Sequence, residues 1–330
     1  MSAAAKRRTG CDPLNRRCRK NPILVDSDRI PMAKPRQASA YRAVVLFCAV
    51  SAMAAPETSL QPAIESARRG DWKRAEQLVD QSLERAPQAS AALYWKSYIL
   101  FQTGRYKEAD GYAARFLEHN PQSGDAHKVL GLALYMQGES VRAEGELTRA
   151  VDLSPADFES RYYLGRLQFE RHNLPAALES FQRAIALDGA SVRAFTQLGQ
   201  TYEGLARWDE AKAAYNRAIE LERQQPKRSE WPYYNLGTLL LKDGRAREAI
   251  PWLRQALDRS PSWPEAKVRL AAALGSTANY TEAKRLLEEV VAADPRNGQA
   301  HYQLAGLLVK LKQPEDARRH FLLFAELKQR

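Results

Sequence analysis

An alanine returns along this chain at Ala75, Ala109, Ala143, Ala177, Ala211, Ala249, Ala283 and Ala317. Every interval is 34 residues except the step from Ala211 to Ala249, which is 38. Four extra residues therefore enter once, near Pro226–Ser229, in the basic stretch RQQPKRS. A period of that length, held over eight copies, is the pattern of stacked supersecondary units. None of them is large enough to bury its own apolar faces alone.

Other columns keep the same register. Five residues before each alanine stand Gly70, Gly104, Gly138, His172, Ala206, Gly244, Ala278 and Lys312. Leu-Gly pairs precede it at Leu130-Gly131, Leu164-Gly165, Leu198-Gly199 and Leu236-Gly237. A proline follows it at Pro87, Pro121, Pro155, Pro261 and Pro295. Between these marks apolar residues recur at helical spacing, so each unit predicts two amphipathic helices, A and B. The column before the alanine ends helix A in a left-handed turn, which glycine enters without steric cost. The closing proline stops helix B, because it lacks an N–H and clashes with the preceding turn. Small residues at Leu-Gly and at the alanine let two helix backbones approach. Pro251, deep in helix B of the sixth unit, predicts a local kink.

In these columns the chain resembles the tetratricopeptide repeat family. The resemblance covers the body of the chain, in units near 56–89, 90–123, 124–157, 158–191, 192–225, 230–263, 264–297 and 298–330. It implies an all-α fold, a right-handed superhelical solenoid of antiparallel helix pairs. Unit one departs from the pattern with Pro62-Ala63 in place of Leu-Gly, and units four and five lack the closing proline. The resemblance also implies a concave groove lined by the A helices. The family's binding positions are the second, fifth, ninth, twelfth and thirteenth of each unit. On this chain they fall at Tyr94, Tyr98, Phe101 and Gln102 in unit two, and at Lys128, Leu132, Tyr135 and Met136 in unit three. In unit four they fall at Tyr162, Arg166, Phe169 and Glu170. Tyr234 and Tyr302 repeat the tyrosine of the fifth position. Such a set suits a protein or peptide partner held by apolar contact and hydroxyl hydrogen bonds. The same tyrosines have a second reading, as packing between neighbouring A helices. The carboxylate clamp of chaperone-tail-binding relatives is not assembled: Leu132 stands where it needs Asn, and Glu265 replaces the partner of Arg269.

Charge and cysteines separate the first 55 residues from the rest. The chain carries a net +11, but residues 1–55 hold eleven Lys or Arg against three Asp, a net +8. The body is left at +3, too little for a polyphosphate-binding surface, so no nucleic-acid partner is expected. Cys11, Cys18 and Cys48 all lie in that first segment. From Met32 a basic stretch with Lys34, Arg36 and Arg42 runs into an apolar run ending at Ala52-Met53-Ala54. These are the parts of a cleaved secretory signal, read as 32–54, which places the protein in the periplasm or outside the cell. Residues 1–31 then read as a disordered extension or a mis-assigned start. The competing reading is a cytoplasmic protein with a basic tail.

Catalytic patterns do not appear. The five histidines show no metal-ligand spacing, and there is no nucleophile elbow, P-loop or dinucleotide fingerprint. The expectation is therefore no enzyme activity, no metal, no cofactor and no small-molecule substrate. The reading is an exported protein-interaction scaffold in a cell-envelope assembly. A cytosolic adaptor and a non-catalytic subunit of an envelope enzyme complex are the alternatives. At the C-terminal end, Phe321, Leu322, Leu323 and Phe324 lie in the last B helix, where repeat arrays need a polar cap. This end is expected to be covered by a partner or by a second copy in a homodimer.

Overall fold

The computed structural model describes residues 60–225 and 228–329. The extension 1–31, the signal-like segment 32–54 and all three cysteines lie outside the described residues, as do Pro226 and Lys227 of the insertion. The described chain is sixteen α-helices and no strand, alternating A and B as the period predicts. The A helices are α1 (Gln61–Arg68), α3 (Ser90–Gln102), α5 (Gly124–Met136), α7 (Phe158–Glu170), α9 (Val192–Gly204), α11 (Trp231–Lys242), α13 (Pro264–Ser276) and α15 (Gly298–Lys310). The B helices are α2 (Trp72–Arg85), α4 (Tyr106–His119), α6 (Ser140–Leu153), α8 (Leu174–Leu187), α10 (Trp208–Glu222), α12 (Ala246–Arg259), α14 (Tyr280–Ala293) and α16 (Pro314–Gln329). The helix α12 is a single element through Pro251.

The turn column behaves as one position. All eight of its residues have positive φ, from 55° at Ala206 to 81° at Gly104. At Gly104 the chain reverses with the Arg105 N–H donating back to the Leu100 carbonyl at 2.9 Å, which satisfies an orphan group of α3. His172, Ala206, Ala278 and Lys312 make the same turn without being glycine, so the fold and not the residue imposes the conformation there. Helix starts are capped from the preceding unit: Ser123, Asp157, Ser191 and Asn297 each accept from the N–H three residues on.

Within a unit, a large side chain of helix B rests on the bare backbone of helix A. A Cβ at Gly131, Gly165, Gly199 or Gly237 would stand 2.8, 2.9, 2.4 or 2.7 Å from Leu147, Phe181, Tyr215 or Leu253 respectively. Those four side chains are fully buried, as are the mid-unit alanines. Each helix packs on its successor, and consecutive A helices from α3 to α15 also touch one another. Among the described residues no two B helices pack to a comparable extent, so the array curves toward its A side.

The two units on either side of the insertion are joined by a buried ion pair. Glu222, at the end of α10, accepts from Arg259 at 3.0 and 3.1 Å and from the Tyr233 hydroxyl at 2.6 Å. The Arg259 guanidinium stacks 3.7 Å from the centre of the Tyr233 ring. Burial pushes the Glu222 carboxyl up, and the Arg259 and Tyr233 hydrogen bonds outweigh it, holding the group below the usual carboxylate range. Where most units close on proline, units five and six are joined by polar bonds across 37 residues of chain.

A candidate protein-interaction face

The A side presents aromatic clusters at two places and a charged stretch between them. At the first, Trp72, Trp95, Tyr94 and Tyr98 make edge-on contacts, with ring centres 5.5 Å apart for Trp95–Tyr98 and 6.2 Å for Trp72–Tyr98. At the second, Trp263 packs 4.7 Å from Trp231 and 4.4 Å from Tyr234. Tyr234 follows from the repeat positions. Trp231 occupies a second position and could have been read in the same way, whereas Trp263, the residue before α13, carries no repeat signal.

The middle stretch is built from paired charges. The Lys128 ammonium sits 2.9 Å from Asp157 and 3.1 Å from Asp125. Burial draws its pKa down, and the two carboxylates outweigh that, holding it above the ordinary lysine value. The Tyr135 hydroxyl donates to Glu170 at 2.6 Å. Arg166 lies 5.4 Å over the Tyr135 ring and 3.7 Å from Glu170. In the next turn of the ladder Arg193 stacks 4.5 Å over Tyr162 and 4.9 Å over Phe158, and donates to Glu159. Burial pushes the Glu159 carboxyl up, and Arg193 offsets only part of that.

The positions carried over from the repeat pattern divide by burial. Leu132 is fully buried, and Phe101, Tyr162, Tyr135 and Lys128 are buried with it, so these five pack the A-helix row from within. Tyr94, Tyr98, Arg166 and Phe169 are partly open. Of the C-terminal residues, Phe321, Leu322 and Leu323 are exposed and Phe324 is half-buried against Tyr302, with ring centres 5.1 Å apart.

The A helices also hold the buried polar atoms that lack a partner. Among the described residues, five buried side-chain atoms have no hydrogen-bond partner in the protein: Gln102 Nε2, Glu159 Oε2, Asn235 Nδ2, Thr238 Oγ1 and Gln303 Oε1. All five belong to A helices (α3, α7, α11 and α15), and repeat-pattern reasoning named only Gln102 among them. On the opposite side, α2 and α4 border a groove of about 400 Å³ whose polar lining is engaged in part. There Asp80 accepts from Lys96 and Arg115 donates to the Pro87 carbonyl. Among the described residues no cluster of His, Cys, Asp or Glu is arranged to hold a metal ion.

Family models described as tetratricopeptide repeat match residues 63–110, 104–158, 142–192, 191–262 and 276–323. The chain belongs to the tetratricopeptide repeat family. A relative of known annotation, the TPR repeat-containing thioredoxin TTL4 of Arabidopsis thaliana, is 34% identical over 84 residues. That match takes in 26% of this chain and spans only 12% of the relative's length. Among solved structures, the array is similar to the APC/C hetero-tetramer Cut9–Hcn1, with a TM-score of 0.62 at 20% identity, over 75% of this chain and 48% of that one. It is also similar to pilF of Pseudomonas aeruginosa, with a TM-score of 0.56 at 20% identity, over 62% of this chain and 91% of that one. A tetratricopeptide repeat protein of Parabacteroides merdae gives a TM-score of 0.56 at 16% identity, over 74% and 96% of the two chains. These likenesses confirm the fold. The tetratricopeptide repeat array thus supports a protein–protein interaction scaffold.

Proposed function

We propose that the A-helix face holds an extended peptide segment of a protein partner, and that the protein is an exported scaffold in a cell-envelope assembly. The carrying observation is the set of partly open aromatic side chains along the A helices, Tyr94, Tyr98 and Phe169, with the cluster of Trp231, Tyr234 and Trp263 further along the array. Such rings offer apolar contact, and their hydroxyl and indole N–H groups offer hydrogen bonds to a peptide backbone, each residue of which brings one donor and one acceptor. The clusters around Tyr98 and around Trp263 then take apolar side chains of the partner. Export is supported by the basic-then-apolar segment 32–54.

The test is affinity capture from envelope and cytosolic fractions with the wild-type protein and two folded variants, Tyr94→Ala/Tyr98→Ala and Trp231→Ala/Tyr234→Ala. A partner retained by the wild type and weakened by both variants supports the reading. Retention unchanged in both, with helix content intact by circular dichroism, sinks it. Intact mass of the native protein checks export independently: a start at Ala55 is expected, and an N-terminus that retains residues 32–54 overturns it.

A further inference from the structure

The C-terminal helix breaks the repeat at two positions where every earlier unit obeys it. Five and six residues after the mid-unit alanine, helices α2 to α14 carry polar or small residues, from Asp80-Gln81 to Glu288-Glu289. The nearest approach to an exception is Ala114-Arg115. Helix α16 carries Leu322-Leu323 there, 57% and 41% exposed. An adjoining repeat unit does not explain this choice, because the first of these positions already meets a following unit elsewhere and is polar when it does. Arg254 uses it to reach Glu282 at 2.9 Å. The residue just after the alanine faces the same way: Glu144 reaches Arg171 at 2.7 Å and Lys284 reaches Gln313 at 3.1 Å, each in the next unit. Arg318 and Leu322 hold these two positions in α16, so both lie on the face that earlier B helices turn toward a following unit.

We infer that α16 is a dimerisation helix, which packs antiparallel against α16 of a second copy across a two-fold axis at Leu322-Leu323. Charge selects this occupant. Arg318 and Arg319 stand one turn before the leucine pair and Glu326 stands one turn after it, all of them exposed. Residues three or four apart share a helix face, so the three charges flank the leucines on one stripe. Arg319 also holds an exposed ion pair with Asp316 of its own helix at 3.3 Å, which Glu326 of the second copy competes with. An antiparallel two-fold pairing sets Glu326 of each copy against the two arginines of the other. A parallel pairing would put arginine against arginine. The stripe is thus complementary to itself in one orientation only, the property an isologous interface requires. Exposed Tyr302 on α15 and Phe321 extend the apolar area beside it. This inference does not depend on the A-helix face.

The experiment is sedimentation equilibrium of the native protein up to about 100 µM, with helix content of each variant followed by circular dichroism. A monomer–dimer equilibrium is expected, with no larger species. Leu322→Glu abolishes the dimer. Glu326→Arg weakens it by about tenfold or more, because arginine then meets arginine across the axis. The Arg318→Glu/Arg319→Glu/Glu326→Arg triple variant restores the pairing with charges exchanged. A wild type that stays monomeric overturns the inference. So does a dimer that neither Leu322→Glu nor Glu326→Arg weakens, and so does a failure of the triple variant to recover affinity. Mass that keeps growing past the dimer points to head-to-tail stacking and overturns the two-fold arrangement.

Discussion

Phe181 and Phe321 occupy one repeat position, four residues after the mid-unit alanine, and each meets the fifth-position tyrosine of its own unit, yet their burial differs. Phe181 is fully buried, its ring lying against the bare backbone of Gly165 and 6.0 Å from Tyr162. Phe321 is 38% exposed and meets Tyr302 at 6.1 Å. Helix α8 has α9 to cover it, whereas α16 has no later helix among the described residues. The difference teaches that burial of a repeat residue is completed by the following unit and is not a property of its own unit. Stability in such an array is a sum of unit and nearest-neighbour terms, so identical residues carry unequal weight along it.

Phe181→Ala and Phe321→Ala test that directly. Removing Phe181 is expected to cost about 3–5 kcal/mol, the range for a fully buried ring. Removing Phe321 is expected to cost about 1 kcal/mol in the monomer, because part of its apolar area stays in water when a single chain folds. Denaturant unfolding with hydrogen exchange localised to each unit reads both values, and equal costs would refute the comparison. Gly165→Ala attacks the same contact from the other side. Its Cβ would stand 2.9 Å from the Phe181 ring, so overpacking of about 1–3 kcal/mol is expected. A smaller effect of opposite sign is expected at Ala278, which holds φ 64° in the turn column. Ala278→Gly relieves the left-handed strain and gives some of it back in chain entropy, for a net gain of about 0.5–1 kcal/mol by the same measurement.

The smallest expected effect is confined to the open end and depends on pH. His320 of α16 shares a hydrogen bond of 2.8 Å between Nδ1 atoms with His301 of α15. The His301 Nε2 donates to the Pro295 carbonyl at 3.0 Å, so its Nδ1 accepts from His320. Burial first, then His301, holds the His320 pKa below its ordinary value of 6.5, against the weaker opposing pull of Asp316 and of Glu288 on α14. The unfolded chain therefore takes up a proton more readily than the folded one. Stability of the last unit is full above about pH 6.5 and falls as pH drops below it. Melting followed at pH 7.5 and 5.5 should show a loss at the lower pH that His320→Gln removes; a loss unchanged in that variant assigns the effect elsewhere.

The candidate face was legible in part. Tyr94, Tyr98 and Arg166 were reached by counting positions, and they are partly open as a contact surface requires. Leu132 and Phe101 were reached by the same count and are buried. Counting identifies the side of a helix, but depth on that side depends on what the neighbouring helices bring against it. Glu159 and Thr238 stand at a second and a ninth position, which the same count reaches, whereas Asn235 and Gln303 stand at neither; that any of the four has an unpaired atom is a fact about surroundings that no repeat column encodes.

By itself the sequence determined the helix pairs, their boundaries and the turn column. Those follow from local periodicity, from proline and glycine stereochemistry, and from eight copies in one register. Even the four non-glycine turns were placed by register alone. Only the tertiary structure decided which aromatic rings are core and which are open, how Arg193 lies on Tyr162, and how Glu222 and Arg259 bridge the insertion. The last two pair side chains from different units, up to 37 residues apart, and their strength depends on the burial that neighbouring helices supply. Local sequence sets the backbone that makes such meetings possible, and the stack of neighbours decides which of them occur.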